Sequence, residues 1–231
     1  MRLRIGVVLV VVGLLVAGLM LNVIVPTNLI RLLVLVGGGL VAVGAGMMVQ
    51  RRPGQRFAVA VVAVAGVAVL LSPIRTNADT LDAAMVKELG DFVNTPYVWG
   101  GESVDGIDCS GLPRAARRRA ALSLALRNAD PGLLRVAASS WLFDRSAAAM
   151  LDGNGTTLLA RGSNIAALPP AARQPGTLIA TADGTHMMVM GDDRHVVEAD
   201  PAMGRVVVLD IEDRASPWTS RAVVALRFEA P

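Results

Sequence analysis

Cysteine is almost missing: Cys109 is the only one in 231 residues, so the chain can form no internal disulfide. A lone cysteine is either a small buried apolar residue or a working thiol. Aromatic residues are scarce too, at 3% of the chain against 53% hydrophobic. A large soluble core draws more heavily on Phe, Tyr and Trp, so the apolar content points to lipid-facing Val, Leu and Ala. Net charge is only +3, and arginine carries most of the positive side. Such arginines beside apolar runs set membrane topology, and no nucleic-acid motif accompanies them, which excludes nucleic acid as a partner. Histidine is limited to His186 and His195. Asp183, Asp192, Asp193, Asp200 and these two imidazoles are too scattered for a metal site. No metal and no other cofactor is expected.

Three long apolar runs fill the first 75 residues. Ile5 to Val25 is free of charge, Leu33 to Val49 extends back to Leu29, and Phe57 to Leu71 is marginal in length. A helix needs about 20 apolar residues to cross the hydrocarbon core, with about 17 as the practical minimum. The first run is too long for a cleaved secretory signal and lacks a small-x-small cleavage site. Residues 1–75 therefore read as a transmembrane region of about three helices, with a lipid bilayer as partner. The Gly-rich second run (Gly37, Gly38, Gly39, Gly44, Gly46) and the Ala-rich third allow close helix packing. Arg2 and Arg4 precede the first span, Arg31 follows it, Arg51, Arg52 and Arg56 follow the second, and Arg75 follows the third. The excess on alternate sides places the N-terminus in the cytoplasm and residues 76–231 outside a bacterial inner membrane if all three runs span; a third run lying on the surface would leave the domain cytoplasmic.

The remainder reads as an α+β domain. Asp79 or Thr80 can cap a helix reaching about Val93, with Leu81, Met85, Leu89 and Phe92 on one face. Tyr97 to Gly106 is a loop. A second helix starts near Cys109, tolerating Pro113 in its first turn, and helical sequence continues to Met150 with a break at Asp130-Pro131-Gly132. Five short strands follow, at 177–181, 186–190, 195–199, 205–211 and 222–228, separated by Gly, Asp and Pro turns as in an antiparallel meander.

Two segments carry the chemistry. In Asp108-Cys109-Ser110-Gly111, a thiol at a helix start meets free N–H groups and the positive end of the helix, which favour thiolate and can hold an oxyanion. The polar neighbours argue against a greasy burial site. In the second segment, a three-residue turn at Gly191-Asp192-Asp193 puts His186 across from Glu198, whereas a two-residue loop would pair it with position 199 and turn Glu198 away, so loop length decides the assignment. A carboxylate facing His186 fixes the tautomer of a histidine base. With the three-residue turn, His195 points to the other sheet face.

Tyr97-x-Trp99-Gly100-Gly101, followed by Asp108-Cys109-Ser110-Gly111, resembles the nucleophile motif of the NlpC-type papain-like cysteine peptidases. Pro175-Gly-Thr-Leu, His186 and a polar residue twelve positions later match that family's second motif. The likeness covers residues 80 to 231. It implies a papain-like domain behind the membrane helices and cleavage of amide bonds in peptidoglycan stem peptides. It also implies catalytic Cys109, His186 and Glu198, with Asp108 and Ser110 meeting the peptide's free amine and Tyr97 bordering the oxyanion site.

Thr177 stands where the family usually has Asp, and Met187, Met188 and Met190 replace Val, Gly and Tyr. The interval from Cys109 to His186 is long, with its excess within 127–171 as a lid or substrate wall. Two alternatives are a non-catalytic wall-binding or scaffolding membrane protein and an amide or acyl transferase on the same fold. Arg114, Arg117, Arg118 and Arg119 read as a solvated helix face, or else as an attractor of anionic polymer. Trp141, Phe143 and Trp218 read as core or rim packing.

Overall fold

The computed structural model describes residues 2–21, 23–49, 53–213 and 216–230. The chain divides into two compact units, Met1–Ser72 and Pro73–Pro231.

Three helices occupy the first unit: α1 (Arg2–Leu21), α2 (Asn28–Val49) and α3 (Pro53–Leu71). The first apolar run stops being helical at Leu21, short of the expected Val25. Among the described residues, one helix, Asn28–Met48, is long and apolar enough to cross a membrane, while the apolar stretches Arg4–Met20 and Val59–Leu71 are shorter. The first two helices run antiparallel along a glycine seam. Gly6 lies against the backbone of Gly44 and Gly13 against that of Gly37, and a Cβ at Gly6 or Gly37 would come within 2.9 or 2.8 Å of the facing carbonyl oxygen. Glycines seven residues apart in each helix keep one seam aligned, the close packing that small residues permit in lipid. Gly38, Gly39 and Gly46 face open space.

In the second unit, α4 (Ala78–Leu89) is capped two residues earlier than expected, by the Asn77 side chain accepting the Thr80 N–H at 2.8 Å. The helix gives way to a 3-10 turn at Gly90–Phe92. Its apolar face, Leu81, Met85 and Leu89 with Phe92 beyond, is buried as the spacing requires. The loop after it holds a two-stranded ribbon, β1 (Glu102–Ser103) and β2 (Gly106–Ile107). Then come α5 (Gly111–Arg127), α6 (Leu133–Leu142) and α7 (Ala147–Leu151).

Six antiparallel strands form the sheet, not five: β3 (Thr156–Gly162), β4 (Leu178–Thr181), β5 (Met187–Met190), β6 (His195–Asp200), β7 (Arg205–Asp210) and β8 (Val223–Phe228), in the order β3-β8-β4-β5-β6-β7. Only β4 to β7 make a meander, and β8 returns beside β4. The 127–171 stretch is built into the domain. Its helix α6 packs on α5, and its strand β3 extends the sheet next to β8.

Both faces of the sheet are covered. Leu178, Ala180, Met187, Val189, Val197, Val224 and Leu226 join the α4, α5 and α6 side chains. Ile179, Met188, Met190, Val196, Val223 and Ala225 meet Ile165, Leu168 and Ala172 on the other side. This double burial explains the continuous apolar runs of the central strands. The three methionines that depart from the family pattern are fully buried, so they fill these cores as adaptable apolar side chains.

Candidate active site

The helix of the first motif begins two residues after Cys109, at Gly111, with Ser110 as its N-cap residue. The capping is done by Asp108. Its Oδ1 accepts the Gly111 N–H at 2.5 Å and the Ser110 hydroxyl at 3.0 Å, and its Oδ2 accepts the Gly100 N–H at 2.8 Å. One carboxylate thus ties the glycine loop to the helix start. Gly111 is required there, because a Cβ would overlap the carbonyl oxygen of Gly101. Tyr97 is held on the same loop by its N–H, which donates to Gly204 O at 2.8 Å.

The thiol itself is buried. The pairing of β5 with β6 runs only through Met190↔Val196 and Val189↔Val197. His186 O and Met190 N bond toward β4, so the alternation along the strand turns the Met187 N–H toward β6. That N–H lies beyond the end of the ladder, and the backbone N–H groups of Met187, Ser110 and Cys109 pull the Cys109 thiol toward ionisation. These donors favour thiolate, as the helix-start argument anticipated. Burial outweighs them, and with the negative charge of Asp108 it pushes the thiol up to about 11. The resting group is therefore a neutral thiol, contrary to the expectation of a ready thiolate. Burial, with the charges of Cys109, Asp108 and Asp200, likewise pushes Tyr97 up to about 12, so its hydroxyl stays a donor.

His186 follows a tight turn. Thr181 Oγ1 accepts the His186 N–H at 3.0 Å, and Asp183 Oδ1 accepts both the Thr181 and Thr185 hydroxyls, at 2.6 and 2.7 Å. Those hydrogen bonds hold Asp183 down at about 2. Gly184 takes φ +70°, which a side chain rarely adopts, and a Cβ there would also press on Ala148.

The imidazole Nε2 lies 2.8 Å from Glu198 Oε2, and both residues are buried, at 1% and 0% exposure. The register differs from the one expected. The Gly191 N–H donates to His195 O at 2.8 Å, so the reversal is centred one residue later, and continuing the pairing sets His186 across from Asp200. Glu198 is then a diagonal neighbour of His186. Diagonal neighbours share a sheet face, so the contact survives the shift. His195 pairs with Asp192 in the exposed turn, at 2.8 Å from Nδ1 to Oδ2.

The arginine cluster is neither a solvated face nor an outward patch. Arg114 is buried against Glu102 (2.7 Å) and Asp144 (2.9 Å), Arg117 against Asp82 (3.4 Å), and Arg118 against Glu102 (3.1 Å). Arg118 and Arg119 remain partly exposed, Arg119 lying over the ring of Phe92. These side chains bind α5 to α4 and β1. Sequence reasoning also missed Trp218, whose ring stacks on His186 with centroids 4.3 Å apart and planes 18° apart. No spacing rule links positions 186 and 218, because the segment carrying Trp218 reaches the site only through the fold.

The family model described as NlpC/P60 matches residues 94–227. Protein P54 of Enterococcus faecium is 53% identical over 32 residues, which cover 14% of this chain and 6% of that protein. NlpC1 of Trichomonas vaginalis is 17% identical, with 69% of this chain and 47% of that one covered and a TM-score of 0.42. The peptidoglycan hydrolase RipB of Mycobacterium tuberculosis is 22% identical, with 70% and 71% covered and a TM-score of 0.42. The chain thus spans a small part of P54 and about half of NlpC1. With the loop, helix and sheet that surround Cys109 and His186 all inside a match covering more than half of the sequence, this chain belongs to the NlpC/P60 family.

Proposed function

We propose that the chain is a membrane-anchored thiol hydrolase that cleaves amide bonds in peptidoglycan stem peptides through Cys109, His186 and Glu198. One observation carries the reading: the Met187 backbone, next in the chain to an imidazole whose Nε2 is held by Glu198, is among the groups that act on the Cys109 thiol. That commitment leaves Nδ1 for the thiol. On substrate binding, Nδ1 takes the S–H proton and the sulfur attacks the amide carbonyl carbon. The Cys109 and Ser110 N–H groups and the Tyr97 hydroxyl hold the oxyanion. Collapse breaks the C–N bond, and the imidazolium protonates the leaving amine. His186 then activates a water that hydrolyses the thioester, releasing the carboxylate and restoring the thiol.

Asp108 links recognition to activation. Its charge is among the causes that keep Cys109 protonated. A substrate ammonium received by Asp108 and Ser110 neutralises that charge and lowers the thiol's pKa when a peptide is present. The glycine seam of α1 and α2 and the apolar helix Asn28–Met48 support anchorage in a bilayer. A cell-wall substrate suits a domain on the outer side of a bacterial inner membrane.

Digestion of purified peptidoglycan by the full-length protein in detergent, followed by mass spectrometry of the soluble fraction, tests this function. Fragments cut at an amide within the stem are expected. Intact stems, under conditions where a thiol probe labels Cys109, would overturn the hydrolase reading and favour a non-catalytic wall binder.

A further inference from the structure

We infer that Trp218 is a positioning residue for His186, clamping the imidazole so that Nε2 stays on Glu198 while Nδ1 stays turned to the thiol. The inference rests on the proposed role of His186 as the base. An imidazole with one hydrogen bond can still swing about that bond, and a flat partner against its face removes the freedom. Trp218 supplies that partner at 4.3 Å and 18°. Its own placement is fixed from outside. The Arg221 guanidinium sits 4.6 Å from the indole centroid, and its Nη1 is 3.1 Å from Asp183 Oδ2. Asp183 organises the turn from which His186 emerges, so one ion pair latches the tryptophan segment to the histidine turn. Ser216 and Thr219 brace that segment: the Trp218 N–H donates to Ser216 Oγ at 3.2 Å, and Thr219 Oγ1 donates to Asp213 O at 2.7 Å. The indole Nε1 has no acceptor among the described residues, so the ring works through its faces. Among the described residues, Glu198 is hydrogen-bonded to the imidazole, Asp200 lies across from His186 in the β5–β6 register, and Asp183 with Arg221 sits at the turn before it.

The single cysteine gives a clean readout. The full-length protein in detergent is treated with iodoacetamide at pH 7, and labelling of Cys109 is timed by intact mass for the wild type and for His186→Ala, Trp218→Phe and Trp218→Ala. A positioning role predicts slower labelling in Trp218→Ala, by about tenfold, with Trp218→Phe within about threefold of wild type because a flat ring is restored. A merely structural role predicts the opposite sign. Loosened packing would expose a thiol that burial holds near 11, return it toward its ordinary value and speed the reaction. Labelling of Trp218→Ala at or above the wild-type rate, while His186→Ala is slowed, overturns the inference alone. Wild-type labelling in His186→Ala overturns the base role and the inference with it.

Discussion

His186 and Glu198 meet at 2.8 Å at the end of the sheet where β5 and β6 no longer pair, so a side-chain hydrogen bond bridges strands that the backbone leaves apart. The carboxylate stabilises the imidazolium and fixes its tautomer; it does not itself move a proton. Glu198→Gln keeps a hydrogen-bonding partner but loses the charge. Turnover of a stem peptide should fall by about tenfold in Glu198→Gln, against a loss of about a thousandfold in His186→Ala, which removes the general base. Steady-state kinetics on both variants check the order, and equal losses would contradict it.

The thiol's dependence on His186 has a pH signature. In His186→Ala, labelling of Cys109 should rise with pH toward a midpoint near 11, because burial, Asp108 and the nearby backbone N–H groups that set the thiol's pKa are all retained. Because the folded value lies above the unfolded one, this group's contribution to stability is complete below the ordinary thiol range and is lost as pH rises through about 11. Alkaline unfolding of Cys109→Ser should lack that loss. A His186→Ala labelling midpoint near the ordinary thiol value would contradict the argument.

Asp108→Asn should separate recognition from activation. Without the neighbouring charge the free protein's thiol becomes more acidic, so iodoacetamide labelling at pH 7 speeds up. Cleavage of a peptide with a free amine should nevertheless weaken through a higher KM. A fall in both quantities would show that Asp108 matters only as the cap of α5.

Arg114 is 2% exposed between Glu102 and Asp144. Glu102 keeps its ion pair with Arg118 and Asp144 is half exposed, so losing Arg114 costs its packing and its hydrogen bonds rather than stranding a charge, about 1–3 kcal/mol. Arg114→Ala should therefore lower the thermal midpoint. Arg119→Ala, whose ion pair with Asp91 is largely exposed, should change stability by less than about 1 kcal/mol. Calorimetry of the two variants tests the contrast.

Much of the fold can be read from local pattern. The apolar face of α4 follows its helical spacing, and the five strands after residue 175 stand out as apolar runs between Gly and Asp turns. Strand β3 escaped notice because it lies at the sheet edge with mostly exposed side chains, so no buried face marks it. The return of β8 to β4 depends on distant pairing that no local signal encodes. The site divides the same way. Cys109 and its capping aspartate lie in one short motif, and His186 and Glu198 lie on one hairpin, where even a shifted register leaves them on a shared face. The buried state of the thiol, the inward arginines and the Trp218 stack come from tertiary packing.

Turnover requires Cys109 and His186 to act as one unit. The direct measurement is kcat/KM on a soluble stem peptide for wild type, Cys109→Ala, His186→Ala and the double variant. Residues that share one step are non-additive, so each single change should cost about as much as both together. Losses that multiply in the double variant, or a His186→Ala protein with wild-type turnover, would contradict it.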